Sequence, residues 1–304
     1  MILMTLNLKI TFIPLVALLM SSAACQSQHS DIIAEGAELV LVADDYTFTE
    51  GPAVDAEGNV FFTDQPNNRI LKWSPDEGVS VFMQPSGRAN GLYFDHEGNL
   101  LACADEKFQL WRIDSDKNVT VLWEQFEGLD LNGPNDLWVD PNGGIYFTDP
   151  YYQRPYWERS ESAMKKEQVY YISPDMGNIK VVIDDFARPN GIIGSADGKT
   201  LFVSDRGNNK TYSYEILEDG MLSEGTLFCE LGSDGMTIDN QGNVYLTGDG
   251  VTVFDKNGKQ IEHIPTGKKW TANVTFGGPN QDLLFITAMD SVFTLQMNVK
   301  GVRN

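Results

Sequence analysis

The chain has 304 residues, with 43 acidic against 22 basic side chains and a formal net charge of −21. This charge argues against nucleic acids and anionic membrane surfaces as partners, because both would repel it. The chain has only three cysteines and no Cys/His cluster, so neither a disulfide framework nor a zinc site held by sulfur is expected. Cys103 and Cys229 lie in apolar runs, which predicts that both are buried free thiols.

Residues 1–25 are predicted to be a signal peptide, since Lys9 is the only charge and the apolar run at 10–20 is too short to span a membrane. The small residues before Cys25 resemble a bacterial lipobox, although Ser22 stands where Leu is usual. This favours a lipoprotein anchored at Cys25, with plain signal cleavage after an alanine as the alternative. Residues 26–36 then form a polar tether and residues 37–304 the folded domain. The protein is expected to be exported, to the periplasm or the outer membrane of a bacterium, with membrane contact only through that anchor.

From Glu50 onward the chain is periodic. An oxygen-bearing residue precedes a short apolar run, a hairpin turn and a second apolar run, and an aspartate follows in most units. The units begin at residues separated by 40, 45, 55, 44 and 39 positions, namely Glu50, Asn90, Asn135, Asn190, Asp234 and Asn273. Each unit has room for about four strands, and no convincing three-turn amphipathic helix is present. The sequence therefore predicts an all-β fold, a six-bladed β-propeller. An early strand, Glu38–Val42, is expected to become the outer strand of the last blade and so to close the ring.

The six unit-starting residues carry the functional prediction. The first strand of each propeller blade lines the central channel, so these side chains should converge at one end of it. For a single unit, Asn or Asp before Gly is an ordinary turn former. Recurrence in register instead favours a hard-cation site, in which Glu50 and Asp234 would neutralise a divalent ion. Oxygen ligands favour Ca²⁺ in such a site, with Mg²⁺, Mn²⁺ and Zn²⁺ as alternatives.

An insertion at residues 150–167 should lie beside this ring, because it follows a second strand. It contains Tyr151, Tyr152, Arg154, Tyr156, Trp157 and Arg159. Aromatic rings with two arginines suit a wall or lid for a polar or anionic ring-shaped ligand, and a packed surface loop is the alternative.

Other catalytic classes lack their motifs in this sequence. No histidine falls on a ring position, and there is no Gly-x-Ser-x-Gly, P-loop or Gly-x-Gly-x-x-Gly motif. A serine hydrolase, a nucleotide enzyme and a Rossmann oxidoreductase are therefore poorly supported, and hydrolysis here is expected to be metal-assisted.

Several motifs together resemble the SMP-30/gluconolactonase/LRE-like family, a group similar to calcium-dependent lactonases and to diisopropylfluorophosphatase. They are Glu50-Gly51-Pro52, Asn132-Gly133-Pro134-Asn135-Asp136, Phe147-Thr148-Asp149-Pro150, Pro189-Asn190-Gly191, Asp234-Gly235-Met236 and Phe276-Gly277-Gly278. The resemblance covers about residues 36–300. It implies a six-bladed propeller with one divalent cation held by Glu50, Asn190 and Asp234.

The same resemblance implies roles for two further positions. Asn135 would contact the metal or the substrate, and Asp234 would be the catalytic residue, as general base on a water or as nucleophile. Animal members carry an arginine where this chain has Gly133, so recognition of the same sugar is in doubt unless Arg154 or Arg159 substitutes.

The hypothesis is therefore a gluconolactonase-like, metal-dependent hydrolase that opens a small-molecule lactone. Asp234 would take the proton, and substrate would be held by Asn90, Asn135, Asn273, Tyr151 and Arg154. Two alternatives are an organophosphate or ester hydrolase using the same site, and a non-catalytic surface propeller that binds sugar or calcium.

Overall fold

The computed structural model describes residues 31–302 of the chain. This range contains 26 β-strands and three single-turn 3-10 helices, joined by turns and loops. The predicted signal peptide, with Cys25, lies outside the described residues. The 3-10 helices are Gln65–Asn67, Asp105–Lys107 and Glu218–Gly220. No helix in the described range is both long and apolar enough to span a membrane.

Most of the strands form six four-stranded antiparallel sheets, which are the blades of the propeller. Blade 1 contains β2 to β5 (Thr49–Val54, Val60–Asp64, Arg69–Ser74 and Gly78–Met83). Blade 2 contains β6 to β9 (Ala89–Phe94, Leu100–Ala104, Gln109–Ile113 and Val119–Trp123). A two-stranded hairpin follows, made of β10 and β11 (Gln125–Phe126 and Leu129–Asp130). Blade 3 contains β12 to β15 (Leu137–Val139, Ile145–Asp149, Gln168–Ile172 and Ile179–Ile183).

The remaining blades have the same strand order. Blade 4 contains β16 to β19 (Pro189–Gly194, Thr200–Asp205, Lys210–Glu215 and Thr226–Cys229). Blade 5 contains β20 to β23 (Met236–Ile238, Val244–Gly248, Gly250–Phe254 and Gln260–Ile264). Blade 6 contains β24 to β26 (Asn273–Gly277, Leu283–Ala288 and Ser291–Gln296) together with β1 (Val40–Ala43). The six-bladed prediction is confirmed.

The early strand closes the propeller as predicted. β1 pairs antiparallel with β26, so the first and last described strands lie side by side in blade 6. The chain before β1 packs on the same blade: Ile32 is buried, and Ile33 forms a bridge with Met297. Residues 32 and 33 of the segment expected to be a polar tether are therefore part of the blade, because both are apolar and cover its core.

Burial decreases from the channel outward. The second strand of each blade is buried on both faces because it lies between two neighbouring sheets, whereas outer strands such as β5, β9 and β19 are largely exposed. Large side chains fill the spaces between blades: Trp138 of blade 3 is fully buried, and a Cβ atom at Gly194 of blade 4 would lie 2.1 Å from its ring. Cys103 and Cys229 are free and buried, as predicted.

Two sets of aspartates shape the loops at the two ends of several blades. In the lower hairpins, Asp55 and its equivalents accept backbone N–H groups two and four residues ahead, which is turn chemistry. At the opposite end, an aspartate closing the second strand accepts backbone N–H groups from the segment that leads into the first strand. Asp205, for example, accepts from Ala187 at 3.1 Å and Arg188 at 2.9 Å. These bonds fix the backbone directly before the ring residue.

Candidate active site

The six predicted ring residues lie at one end of the channel, called here the upper face. Each one lies within two residues of the start of the innermost strand of its blade. Five of them are buried, and Asp234 is half-buried. Neighbouring positions are in contact: the Asn273 Nδ2 donates to the Glu50 Oε2 at 3.2 Å, and the Gly91 N–H donates to the Asn135 carbonyl at 2.8 Å. The structure therefore brings these six positions together.

The glycines that follow ring residues have a packing role. A Cβ atom would lie 2.1 Å from the Asn90 carbonyl oxygen at Gly51, 2.5 Å from the Asn135 oxygen at Gly91, and 2.5 Å from the Asp234 oxygen at Gly191. The innermost strands of adjacent blades thus approach too closely for any side chain at these positions. The recurring Asn-Gly reflects this convergence at the channel, while the hairpin turn is formed further along the strand.

Two acidic side chains, Glu50 of blade 1 and Asp234 of blade 5, lie close enough in the ring to interact electrostatically. Burial raises the pKa of Glu50 well above its usual value, and the negative charge of Asp234 raises it further. Burial also raises the pKa of Asp234, although hydrogen bonds from Trp270 and Asn190 partly oppose this effect. No Lys or Arg in residues 31–302 forms an ion pair with either carboxylate.

Asp136 is a third acidic group in the site, and the sequence analysis missed its role. It occupies the position after ring residue Asn135, where four other blades have glycine, and its side chain reaches into the channel. Burial raises the pKa of Asp136 to about 8, and the charge of Asp234 contributes to this shift. The sequence did contain a signal for this role, because an aspartate stands here at a position where four other repeats have glycine.

The insertion at 150–167 borders the ring through Tyr152. Its hydroxyl accepts a hydrogen bond from Asn190 Nδ2 at 3.1 Å, and the nearby charge of Asp234 helps to raise its pKa. Tyr151, the residue chosen from sequence, turns away: its hydroxyl donates to Gln153 and its ring lies 5.7 Å from that of Trp157. The two tyrosines are adjacent, and sequence offered no basis for choosing between them.

Arg154 is held beside the ring by Asp105. Its Nε donates to Asp105 Oδ2 at 2.9 Å, and Tyr156 and Gln65 donate to the same oxygen. At Gly133 a Cβ atom would lie 2.8 Å from Asp105 Oδ1, so the space for a side chain there is already filled. The Trp157 ring, 3.0 Å from the same Cβ position, also fills this space, and Arg154 borders it through its bond to Asp105.

Arg159 has a different role, since its guanidinium donates to the Leu131 and Asn132 carbonyls. It also lies 3.4 Å from the centroid of the Phe108 ring. This arginine fastens the insertion to blade 2.

A second wall of the site comes from Trp270 and Arg206, which the sequence analysis also missed. The Trp270 Nε1 donates to Asp234 Oδ2 at 2.6 Å, and the Arg206 Cζ lies 4.5 Å from the indole centroid. Trp270 lies in the loop between β23 and β24, and Arg206 directly follows β17. Neither residue occupies a position that recurs in the six repeated units. Their place beside Asp234 is therefore visible only from the paths of the loops in the structure.

The donor set of the ring fits a divalent cation by its chemistry. The Glu50 and Asp234 carboxylates and the Asn190 amide supply oxygen atoms, and neither carboxylate forms an ion pair with a Lys or Arg among the described residues. The structure does not itself establish a metal site, because residues 31–302 contain no cluster of three or more His, Cys, Asp or Glu side chains positioned for metal binding. The metal assignment therefore stays a prediction.

Below the ring, the channel widens into a cavity of about 440 Å³ that extends to the lower hairpins. Its walls are mostly apolar, from residues such as Leu92, Ile192 and Met236, and Asp136 is the ring-side acid that borders it. The polar groups able to act on a substrate thus face the upper end.

The model of the "SMP-30/Gluconolactonase/LRE-like region" matches residues 48–290. The chain belongs to this family. The gluconolactonase of Zymomonas mobilis subsp. mobilis (strain ATCC 31821 / ZM4 / CP4) is 29% identical over 292 residues, covering 86% of this chain and 82% of that protein. The structure of a gluconolactonase from Xanthomonas campestris superposes with a TM-score of 0.82 at 30% identity, covering 88% of this chain and 91% of that one.

A less similar solved structure shares the fold. Regucalcin from Agrobacterium tumefaciens str. C58, a calcium-binding protein, superposes with a TM-score of 0.74 at 20% identity, covering 88% of this chain and 98% of that one. All six ring residues fall within the region matched by the family model.

Proposed function

We propose that this chain is a metal-dependent lactonase that opens a sugar lactone in the polar ring. The observation that carries the proposal is the pair of ring carboxylates, buried Glu50 and half-buried Asp234, which form no ion pair with a Lys or Arg in residues 31–302. The similarity to gluconolactonases over most of the chain supports lactone hydrolysis over other reactions.

In this proposal Glu50, Asn190 and Asp234 hold the cation, which when bound supplies Lewis-acid polarisation of the lactone carbonyl. Trp270 donates to one oxygen of Asp234 and so orients this carboxylate, which would take a proton from the attacking water. The amides of Asn90, Asn135 and Asn273 orient the lactone ring, and Tyr152 and Arg154 form the wall on the insertion side. Calcium is the expected ion, because the donors are oxygen atoms and regucalcin, which shares the fold, is a calcium-binding protein.

Chelation tests the metal requirement. Glucono-1,5-lactone hydrolysis is followed by acid release with a pH indicator, after subtraction of the spontaneous rate. Treatment with EDTA followed by desalting is expected to lower kcat by at least about 10²-fold, because the carbonyl loses its polarising ion. Adding Ca²⁺, Mg²⁺, Mn²⁺ or Zn²⁺ separately should restore activity, with Ca²⁺ the most effective.

The outcomes separate the competing functions. The metal content of the treated protein is measured, and it must be less than about one-tenth equivalent of any divalent ion. If such protein kept its full turnover, metal dependence would be ruled out. Absence of turnover on lactones, with hydrolysis of an aryl ester or a phosphotriester, would favour the esterase alternative. Sugar or Ca²⁺ binding without any turnover would favour a non-catalytic propeller.

We also propose that the protein is exported and anchored through Cys25, on the basis of residues 1–25. Metabolic labelling with a radioactive fatty acid in a bacterial host should label the wild-type chain and not Cys25→Ser. If the wild type carried no label, and was released from the membrane as fully as Cys25→Ser, the result would instead indicate plain signal cleavage.

A further inference from the structure

Three arginines lie along one side of the ring, at blades 3 and 4. Arg154 comes from the insertion, Arg188 precedes the innermost strand of blade 4, and Arg206 follows its second strand. The Tyr152 ring lies between the first two, with its centroid 5.6 Å from the Arg154 Cζ and 5.0 Å from the Arg188 Cζ. We call these three residues the arginine rim. It is a basic patch on a chain whose net charge is −21.

The three guanidinium groups differ in their partners. Arg154 is bonded to Asp105 at 2.9 Å, and Arg188 Nε lies 3.5 Å from Glu167 Oε2. Arg206 has no carboxylate within ion-pair distance among residues 31–302, and its guanidinium rests on the face of Trp270. Stacking on an indole orients a guanidinium and leaves its N–H groups at the edge free to donate.

Arg206 is also close to the reacting groups. The Trp270 Nε1 donates to Asp234, and the Arg206 guanidinium stacks on the face of the same indole. Arg206 is therefore separated from that carboxylate by one indole ring. Its positive charge lowers the pKa of both Asp234 and Tyr152, opposing the effect of burial. A divalent cation held by Glu50 and Asp234 would neutralise both carboxylates. The charge of Arg206 would then have no ion-pair partner in residues 31–302.

We propose that the lactone substrate carries an anionic group, a carboxylate or a phosphate, on the carbon chain outside its ring. The lactone carbonyl lies at Glu50, Asn190 and Asp234, and the anion lies at the arginine rim with Arg206 as its principal contact. Guanidinium groups bind carboxylates and phosphates alike through paired N–H donors, so the arginine rim fits either anion. This inference rests on the proposed lactonase function and adds the substrate class.

Matched substrates test it. D-glucaro-1,4-lactone and D-glucono-1,4-lactone differ only at C6, which is a carboxylate in the first and a hydroxymethyl group in the second. The wild-type enzyme is expected to have a kcat/KM about 10-fold higher for the anionic lactone at low salt. The preference should shrink at high ionic strength. A second pair, 6-phosphoglucono-1,5-lactone and glucono-1,5-lactone, distinguishes phosphate from carboxylate.

The variant Arg206→Gln should lower kcat/KM for the preferred anionic lactone about 10-fold more than for its neutral partner. The matched control is Lys199→Gln, which removes the same charge from the lower face of blade 4, where the side chain is 77% exposed. This control should leave both values unchanged. Equal kcat/KM for anionic and neutral lactones in wild type, or equal losses in Arg206→Gln, would overturn the proposal.

A binding measurement separates this inference from the lactonase proposal. Each lactone is titrated calorimetrically into Asp234→Asn protein in saturating Ca²⁺, with and without Arg206→Gln. Arg206-dependent binding of only the anionic lactones supports the inference, even if the wild type hydrolyses none of them. Hydrolysis of neutral lactones with no Arg206-dependent binding leaves the lactonase standing and removes the anion site.

Discussion

Replacing Asp234 with asparagine is expected to lower kcat for lactone hydrolysis by about 10³-fold. Asparagine has nearly the same volume and still offers an oxygen to the Trp270 Nε1, which lies 2.6 Å from Asp234 Oδ2. It cannot accept a proton from water at neutral pH, so the loss should fall mainly on kcat and not on substrate affinity. The measurement is the pH-indicator assay at saturating lactone and saturating metal.

The control for this substitution is Asp249→Asn, which makes the same change in the same blade. Asp249 lies in the turn between β21 and β22 on the upper face, and it is exposed. Its variant should retain wild-type kcat, and both variants should have wild-type circular dichroism. If Asp234→Asn retained more than about a tenth of the activity with metal bound, Asp234 would not be the proton acceptor.

Removal of the Asp64 carboxylate is expected to cause a large loss of folding stability. Asp64 is fully buried at the end of β3 and accepts hydrogen bonds from the Thr47 and Phe48 backbone N–H groups. It also receives Arg69, whose Nη2 lies 2.8 Å from Oδ2. Asp64→Ala leaves these donors unpaired in the interior, so the free energy of unfolding is expected to fall by about 3–5 kcal/mol.

Urea denaturation followed by tryptophan fluorescence measures this effect. Asp114→Ala is the matched control, because Asp114 also accepts backbone N–H groups but lies in an exposed turn of blade 2. The control should shift the unfolding midpoint by only a small fraction of the Asp64→Ala shift. Equal shifts for the two variants would mean that burial of the Asp64 network contributes nothing.

The repeat made most of the fold predictable. Strands and turns recur with the same spacing, and a mistake in one unit is corrected by its five copies. The segment Glu38–Val42 could be assigned to the last blade because a ring of sheets leaves no free edge, and the structure pairs Val40–Ala43 with β26. The ring positions were predictable for the same reason, since each unit places one side chain at the same point of the channel.

The walls of the site could not be predicted in this way. Tyr152, Arg206 and Trp270 lie on loops whose lengths differ between blades, and their approach to Asp234 depends on the loop paths. Tyr152 and Tyr151 are equivalent by composition, and only the backbone direction of the insertion distinguishes them. Asp136 did carry a signal, because it interrupts a column of glycines that the close approach of the innermost strands requires.

The closure of blade 6 by β1 has a consequence for how the site forms during folding. Glu50 and Asn273 bond to each other across 223 residues of sequence, directly next to the seam where the two ends of the chain meet. Contacts this distant in sequence cost the most chain entropy and form late. The acidic pair can therefore come together only after the final blade has been synthesised, so a nascent or C-terminally truncated chain would contain complete blades and no reaction centre.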